Sequence, residues 1–262
     1  MKLSISNIAW AAHQDDIIFD LLKKYHFSGL ELAPTRILPE APYSHMAFAR
    51  TYAETLFETH HLEVASIQSI WYGKKENLFH SHSDRHTLFE YTQKAIDFAS
   101  AMNCKNVVLG SPKNRNRSED SLLKDDASDF FRQLGDYAFA HHTTLALEPN
   151  PSIYDTNFIN ITAQALEYIE YINSPGLRVN LDLGTMIANE EDIAIIAPNL
   201  KWINHIHISE PFLNPIQKRT LHNALISILK TQNYQGYVSI EMKKGETLEP
   251  VTQSIEYLAS LF

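Results

Sequence analysis

Residues 144–150 read TLALEPN, 178–184 RVNLDLG, 204–210 NHIHISE and 238–243 VSIEMK. Each is a short apolar, β-prone run that closes on a side chain able to ligate a metal: Glu148, Asp182, His207 and Glu241. Runs of this kind fit strands buried on both faces, as in a parallel sheet covered by helices. Four more precede them, Leu3–Trp10, Ser28–Ala33, Val64–Ile70 and Asn106–Gly110. The later four strand candidates are Thr144–Glu148, Arg178–Leu183, Ile203–Ser209 and Tyr237–Met242.

Between the strands, apolar residues recur at helical spacing, as in Leu88/Tyr91/Ala95/Phe98/Met102 and Phe130/Phe131/Leu134/Tyr137/Ala138. The same spacing holds for Ile18/Leu21/Leu22/Tyr25, Leu221/Leu225/Ile228/Leu229 and Val251/Ile255/Leu258/Phe262. It is weakest around Ile193–Ala197, where Pro198 ends it. Strand and helix alternate throughout without linker composition. This predicts an α/β fold, a (β/α)8 TIM barrel, spanning residues 1–262 as a single domain. A doubly wound open sheet is the alternative. It usually carries a glycine-rich turn after its first strand, where this chain has Trp10-Ala11-Ala12-His13. The longest irregular stretches, Thr35–Tyr43, Trp71–Ser83 and Ser111–Asp120, all follow strands, on the face where barrels build their sites.

A net charge of −9 without any basic block argues against nucleic acid as a partner, because displacing counterions from a duplex needs a basic stripe. Cys104 is alone, which rules out an intrachain disulfide or a thiolate cluster. No run approaches the roughly 20 apolar residues of a membrane span. The opening MKLSISNIAW lacks the pattern of a signal peptide. A cytoplasmic protein is expected, with no membrane partner.

Three carboxylates and one imidazole suit Mn2+, Mg2+ or Co2+, and accommodate Zn2+. A single carboxylate at a strand end more often caps a helix or pairs with a lysine. Four ligands on four successive strands, all at the same depth, point to one shared site. His205 lies two residues before His207 and one layer deeper, which fits a hydrogen-bonded core histidine.

The order Glu, Asp, His, Glu on the last four strands resembles the sugar phosphate isomerase/epimerase superfamily, the xylose isomerase-like barrels. Supporting phrases are FSGLELAP (27–34), ALEPNP (146–151), VNLDLGTM (179–186), HIHISEP (205–211) and YQGYVSIEM (234–242). The resemblance implies one divalent metal held by Glu148, Asp182, His207 and Glu241. Such a cation acidifies a C–H beside a carbonyl, and Glu148 and Glu241 could remove and return the proton. The chain departs from the ketose 3-epimerases of that superfamily at Tyr154, Thr185 and Leu213, where those enzymes carry glutamate, histidine and arginine.

Other strand-end residues are candidate substrate contacts: Glu31, Gln68, Glu210 and His222, with Glu210 also placed to orient His207. Asn180 and Ser209 face the mouth on alternation grounds, although each is as readily structural. The loop GSPKNRNR (110–117) adds Lys113, Arg115 and Arg117, three cations suited to a phosphate or carboxylate or simply to solvent. Trp10, Trp71 and Tyr72 could wall a sugar ring.

The expected function is a metal-dependent isomerase or epimerase that abstracts a proton from a sugar or an anionic sugar derivative. A dehydratase or lyase uses the same first step. An endonuclease IV-like hydrolase needs a cluster of about three metals, whereas the third and fourth strands end in SIQSIW and VVLGSP. A non-catalytic sugar-binding barrel predicts broken ligands, and all four are intact. The partner expected is a small sugar-like molecule, with a homodimer as the assembly barrels of this kind often adopt.

Overall fold

The computed structural model describes residues 1–262. Eight strands alternate with helices, as the sequence pattern predicts. They are β1 (Lys2–Ser6), β2 (Gly29–Leu32), β3 (Glu63–Ile67), β4 (Val107–Leu109), β5 (Leu145–Leu147), β6 (Leu177–Asp182), β7 (Ile203–Ser209) and β8 (Tyr237–Glu241). All neighbours pair in parallel, and β8 returns to β1 to close the barrel. Every crossover is therefore a βα unit, and all strand C-termini open on one face.

The main outer helices are Asp15–Lys24, Met46–His60, His82–Ala101, Ser128–Ala140, Thr162–Ile172, Thr220–Thr231 and Glu249–Leu261. Each turns its apolar stripe inward; Ser128–Ala140, for example, buries Phe130, Phe131, Leu134 and Ala138 against the sheet. The sixth unit differs. Its place is taken by two short helices, Leu183–Ala188 and Ile196–Asn199, the second containing Pro198. The first strand is shorter than its apolar run suggests, because Asn7–Ala9 winds into a 3-10 turn. There the Asn7 side chain accepts a hydrogen bond from the Ala33 N–H at 2.9 Å and ties the ends of β1 and β2 together. No helix is long and apolar enough to cross a membrane.

Two irregularities in register set the interior. Between β2 and β3, Leu30 pairs with Val64 but Glu31 pairs with Ser66, so Ala65 is the extra residue. Between β6 and β7, Val179 pairs with Ile203 but Asn180 pairs with His205, so Asn204 is extra. A one-residue slip moves side chains to the other face of a strand. The second slip brings His205 and His207 level with Asn180 and Asp182 inside the barrel.

On the opposite face the chain packs backbone on backbone. A Cβ on Gly176 would stand 2.1 Å from the Gly135 carbonyl oxygen and 2.6 Å from the Phe139 nitrogen. Neither atom can yield without moving the helix Ser128–Ala140 off β6. Gly176→Ala should cost about 1–3 kcal/mol or more through overpacking, read as a lower midpoint in denaturant unfolding.

Candidate metal centre

The four strand-end groups converge. Glu148, Asp182, His207 and Glu241 each offer a ligand atom, and these atoms lie within 4.8 Å of one another. His207 Nδ1 is 3.0 Å from Glu148 Oε1 and 3.2 Å from Glu241 Oε2. Its Nε2 lies 3.0 Å from Glu31 Oε2, so β2 supplies a carboxylate beneath the imidazole. His205 Nε2 is 3.1 Å from the same oxygen but out of line for a hydrogen bond, which leaves an electrostatic contact.

Neutral donors hold the carboxylates. Asn180 Nδ2 donates to Glu148 Oε1 at 2.7 Å, and Asn150 Nδ2 to Glu148 Oε2 at 3.2 Å. The Thr185 N–H donates to Asp182 Oδ2 at 2.8 Å, with the Thr185 hydroxyl at the same distance. Asp182 thereby caps the helix that follows it. The Ser209 hydroxyl donates to Asp182 Oδ1 and accepts from the Gly184 N–H.

The electrostatics are unbalanced. Burial favours neutral Glu31, but His207 and His205 outweigh it and hold that carboxyl well below its ordinary range. Burial also opposes a charged His207; Glu31 and Glu241 overcome it and raise the imidazole well above its ordinary value. Asp182 is raised by burial and by the neighbouring Glu148 charge. Glu241 is raised by burial, with further push from Asp182 and Glu31, against the pull of His207. Four buried carboxylates thus share one imidazolium, and the donor set carries surplus negative charge. That surplus, with three oxygen ligands and one nitrogen, fits a divalent cation. The Nε2–H donated to Glu31 would leave the Nδ1 lone pair facing the carboxylates once its proton departs. Glu31 and His207 are wholly buried, while Glu148 (9%), Asp182 (7%) and Glu241 (8%) retain a little exposure, so approach is from the carboxylate side.

That side opens into a cavity of about 750 Å3. Gln68, Lys113, Glu210, Trp71 and Tyr72 line it together with Glu148, Asp182 and Glu241. Tyr154 and Leu213 are in the same wall. The Tyr154 hydroxyl accepts from the Phe212 N–H at 2.8 Å, and the two rings meet edge to face. Other candidates lie elsewhere. Glu31 sits under His207 rather than in the wall. His222 is buried, beside the Tyr257 hydroxyl at 3.0 Å, and burial lowers its pKa to about 4. Trp10 is buried and donates to Asp15 at 2.7 Å. Arg115, expected to grip an anion, has no exposed surface. Its guanidinium turns inward to the Glu148 carbonyl and Asn150, because the loop folds it under the end of β5. Glu210, expected beside His207, instead forms a two-pronged pair with Arg219 at 2.7 and 2.6 Å, and Glu31 takes the orienting position. Sequence reasoning missed Asn150, whose signal was its place in ALEPNP two residues after Glu148.

The xylose isomerase-like TIM barrel profile matches residues 19–261. The chain belongs to that family. Solved structures with the same fold include the 3-keto-D-glucoside 4-epimerase of E. coli, at 20% identity and a TM-score of 0.76, over 100% of this chain and 98% of that one. A D-psicose 3-epimerase crystallised in the presence of D-fructose is 17% identical with a TM-score of 0.72, over 98% and 89%. The IOLI protein with a binding zinc atom is 19% identical with a TM-score of 0.73, over 100% and 98%. A comparison with curated proteins gives no match.

The raised groups set the sign of the pH dependence. Asp182, Glu241 and His207 hold protons in the folded chain at pH values where the unfolded chain has released them. Their contribution is present at low pH and lost as pH rises through the folded values; Glu31, held low, stays favourable throughout that range. Buried His205 and His222 are lowered and work the other way as pH rises through the ordinary histidine range, so the metal-free melting temperature should fall above that range, from about pH 7 to about pH 9. Mn2+ should raise it, and by more at the higher pH. Asp182→Asn and Glu241→Gln should raise the metal-free melting temperature while abolishing the Mn2+ response, both read by thermal denaturation.

Proposed function

We propose that this barrel is a divalent-metal-dependent isomerase or epimerase of a sugar or sugar derivative. One observation carries the reading: three carboxylates and an imidazole converge at the floor of a cavity able to enclose a small molecule. Glu148, Asp182, His207 and Glu241 would hold the cation. When bound, it supplies Lewis acidity that makes a C–H beside a carbonyl easier to deprotonate.

The remaining work falls to the chain's own groups. Glu148 and Glu241 come from strands three apart, β5 and β8, and reach the cavity from different sides. Each can stand beside a different face of a bound carbon. One carboxylate takes the proton and the other returns one, which inverts that carbon; delivery to the adjacent carbonyl carbon, with the hydroxyl proton passing to the former carbonyl oxygen, isomerises the compound. Burial raises the pKa of Glu241, which favours its holding a proton. Asn180 and Asn150 donate to Glu148 and keep its carboxylate oriented between turnovers. The epimerases among the similar structures support the same chemistry. The sealed Glu31–His205–His207 group lies below the cavity floor, which does not favour a multi-metal phosphodiesterase. Conversion of ketoses, acidic sugars and sugar phosphates is the substrate range to survey.

Incubation with Mn2+ in D2O across such a panel should place deuterium on a carbon next to a carbonyl in at least one compound. Glu148→Gln and Glu241→Gln should slow that exchange by roughly 100-fold or more. Loss of water from the compound, in place of exchange or inversion, would make the enzyme a dehydratase. Metal-loaded protein that exchanges and converts none of the panel would refute the reading.

A further inference from the structure

The basic loop after β4 divides its cations. Lys113 stays exposed at the cavity rim, and Arg117 lies over the Phe79 ring, 4.2 Å from its centroid. Arg115 is wholly buried, yet no carboxylate touches it. Its Nη2 donates to the Glu148 carbonyl oxygen at 2.9 Å and to Asn150 Oδ1, while Nε and Nη1 have no partner. A guanidinium sealed among neutral acceptors is a poor device for stability, since an apolar residue of similar volume would pack there at less cost. Burial lowers its pKa to about 10, with Glu148 opposing that shift, so it remains cationic at neutral pH.

The contact with Asn150 has a direct consequence for Glu148. An amide offers an oxygen at one end and two N–H donors at the other. With the oxygen engaged by the guanidinium, the NH2 end is turned to Glu148 Oε2 at 3.2 Å. The reverse orientation would set an NH2 against a cation and an oxygen against a carboxylate. The same loop is shaped closely to this carboxylate at its start, where a Cβ on Gly110 would stand 2.5 Å from Glu148 Oε2.

We propose that Arg115 is a positioning residue which, through Asn150, locks the Glu148 carboxylate in the orientation that ligates the cation. It rests on the metal centre assigned above. The role accounts for a buried arginine on a loop whose sequence suggested a substrate grip. It also makes the loop after β4, which contributes no ligand, part of the metal site.

Calorimetric titration with Mn2+ alone tests this on the intact protein. Arg115→Ala should weaken Mn2+ binding roughly 10–100-fold, the usual effect of removing a group that orients a ligand. Methylguanidinium, filling the vacated space, should restore most of the affinity. Asn150→Ala should show a similar loss with no rescue by methylguanidinium, and it keeps the test open if Arg115→Ala fails to fold. Wild-type Mn2+ affinity in either folded variant overturns the proposal, as does a loss in Arg115→Ala that methylguanidinium leaves unchanged. Glu241→Gln separates the two readings. If it loses Mn2+ while the Arg115 and Asn150 variants keep it, the metal centre stands and the positioning role falls. Absence of Mn2+ binding by the wild type overturns both.

Discussion

The imidazole of His207 joins two carboxylate layers that would otherwise repel. Below it lies Glu31 at 3.0 Å; above it are Glu148 and Glu241 at 3.0 and 3.2 Å. Glu31 and His207 are 176 residues apart in sequence and meet only because the sheet closes on itself. A histidine orienting partner is usually a nearby carboxylate or carbonyl that fixes which nitrogen carries the proton. Here that partner comes from β2, so barrel closure and ligand geometry are one constraint. Removing Glu31 alone would leave a buried imidazole without its partner, a costlier change than exchanging the pair.

The arrangement sets stability against function within a few side chains. Asp182 and Glu241 are both pushed toward their neutral forms, the direction that destabilises a metal-free fold at neutral pH. Beyond the His207 imidazolium, the chain answers with neutral donors rather than with lysine or arginine in contact. Asn180 and Asn150 serve Glu148; Ser209 and Thr185 serve Asp182. A lysine or arginine in contact would neutralise the carboxylates and compete with a metal ion. Amides and hydroxyls orient them and leave the charge in place.

Much of this was legible in the sequence, for reasons that can be named. Strand ends were readable because apolar runs stop at the barrel mouth, where side chains turn polar; hence Glu148, Asp182, His207 and Glu241 stood out. The stretch around Ile193–Ala197, where helical spacing is weakest, forms only short helical turns. Thr185 shows the limit. In the ketose epimerase pattern it read only as the absence of a histidine, whereas its N–H and hydroxyl are engaged with Asp182. Arg115 and Glu210 are similar: spacing placed both on the right face, but the direction of a long side chain depends on the partners that the fold brings to it. Arg115 reaches residues 33 and 35 positions on.

The register slip between β6 and β7 carries the longest chain of consequence. Had Asn180 continued the regular pairing set by Val179 and Ile203, it would face Asn204, and Asp182 would face Ile206. An isoleucine would then replace the imidazole beside Asp182. The extra residue, Asn204, is instead accommodated at the foot of the barrel, where its side chain donates to Asn106 Oδ1 at 2.7 Å. Its carbonyl accepts from the Tyr234 hydroxyl at 2.8 Å. These bonds satisfy the bulged residue far from the cavity and let the irregularity persist. From there the sheet is in step: Asp182 pairs with His207, and Ser209 pairs with Glu241. Glu241 is thus two residues higher along β7 than His207, and the ligands follow the slope of the barrel rather than a flat ring. The carboxylates remain at the cavity and the imidazole is sealed below them, which is the order a cation entering from the mouth requires.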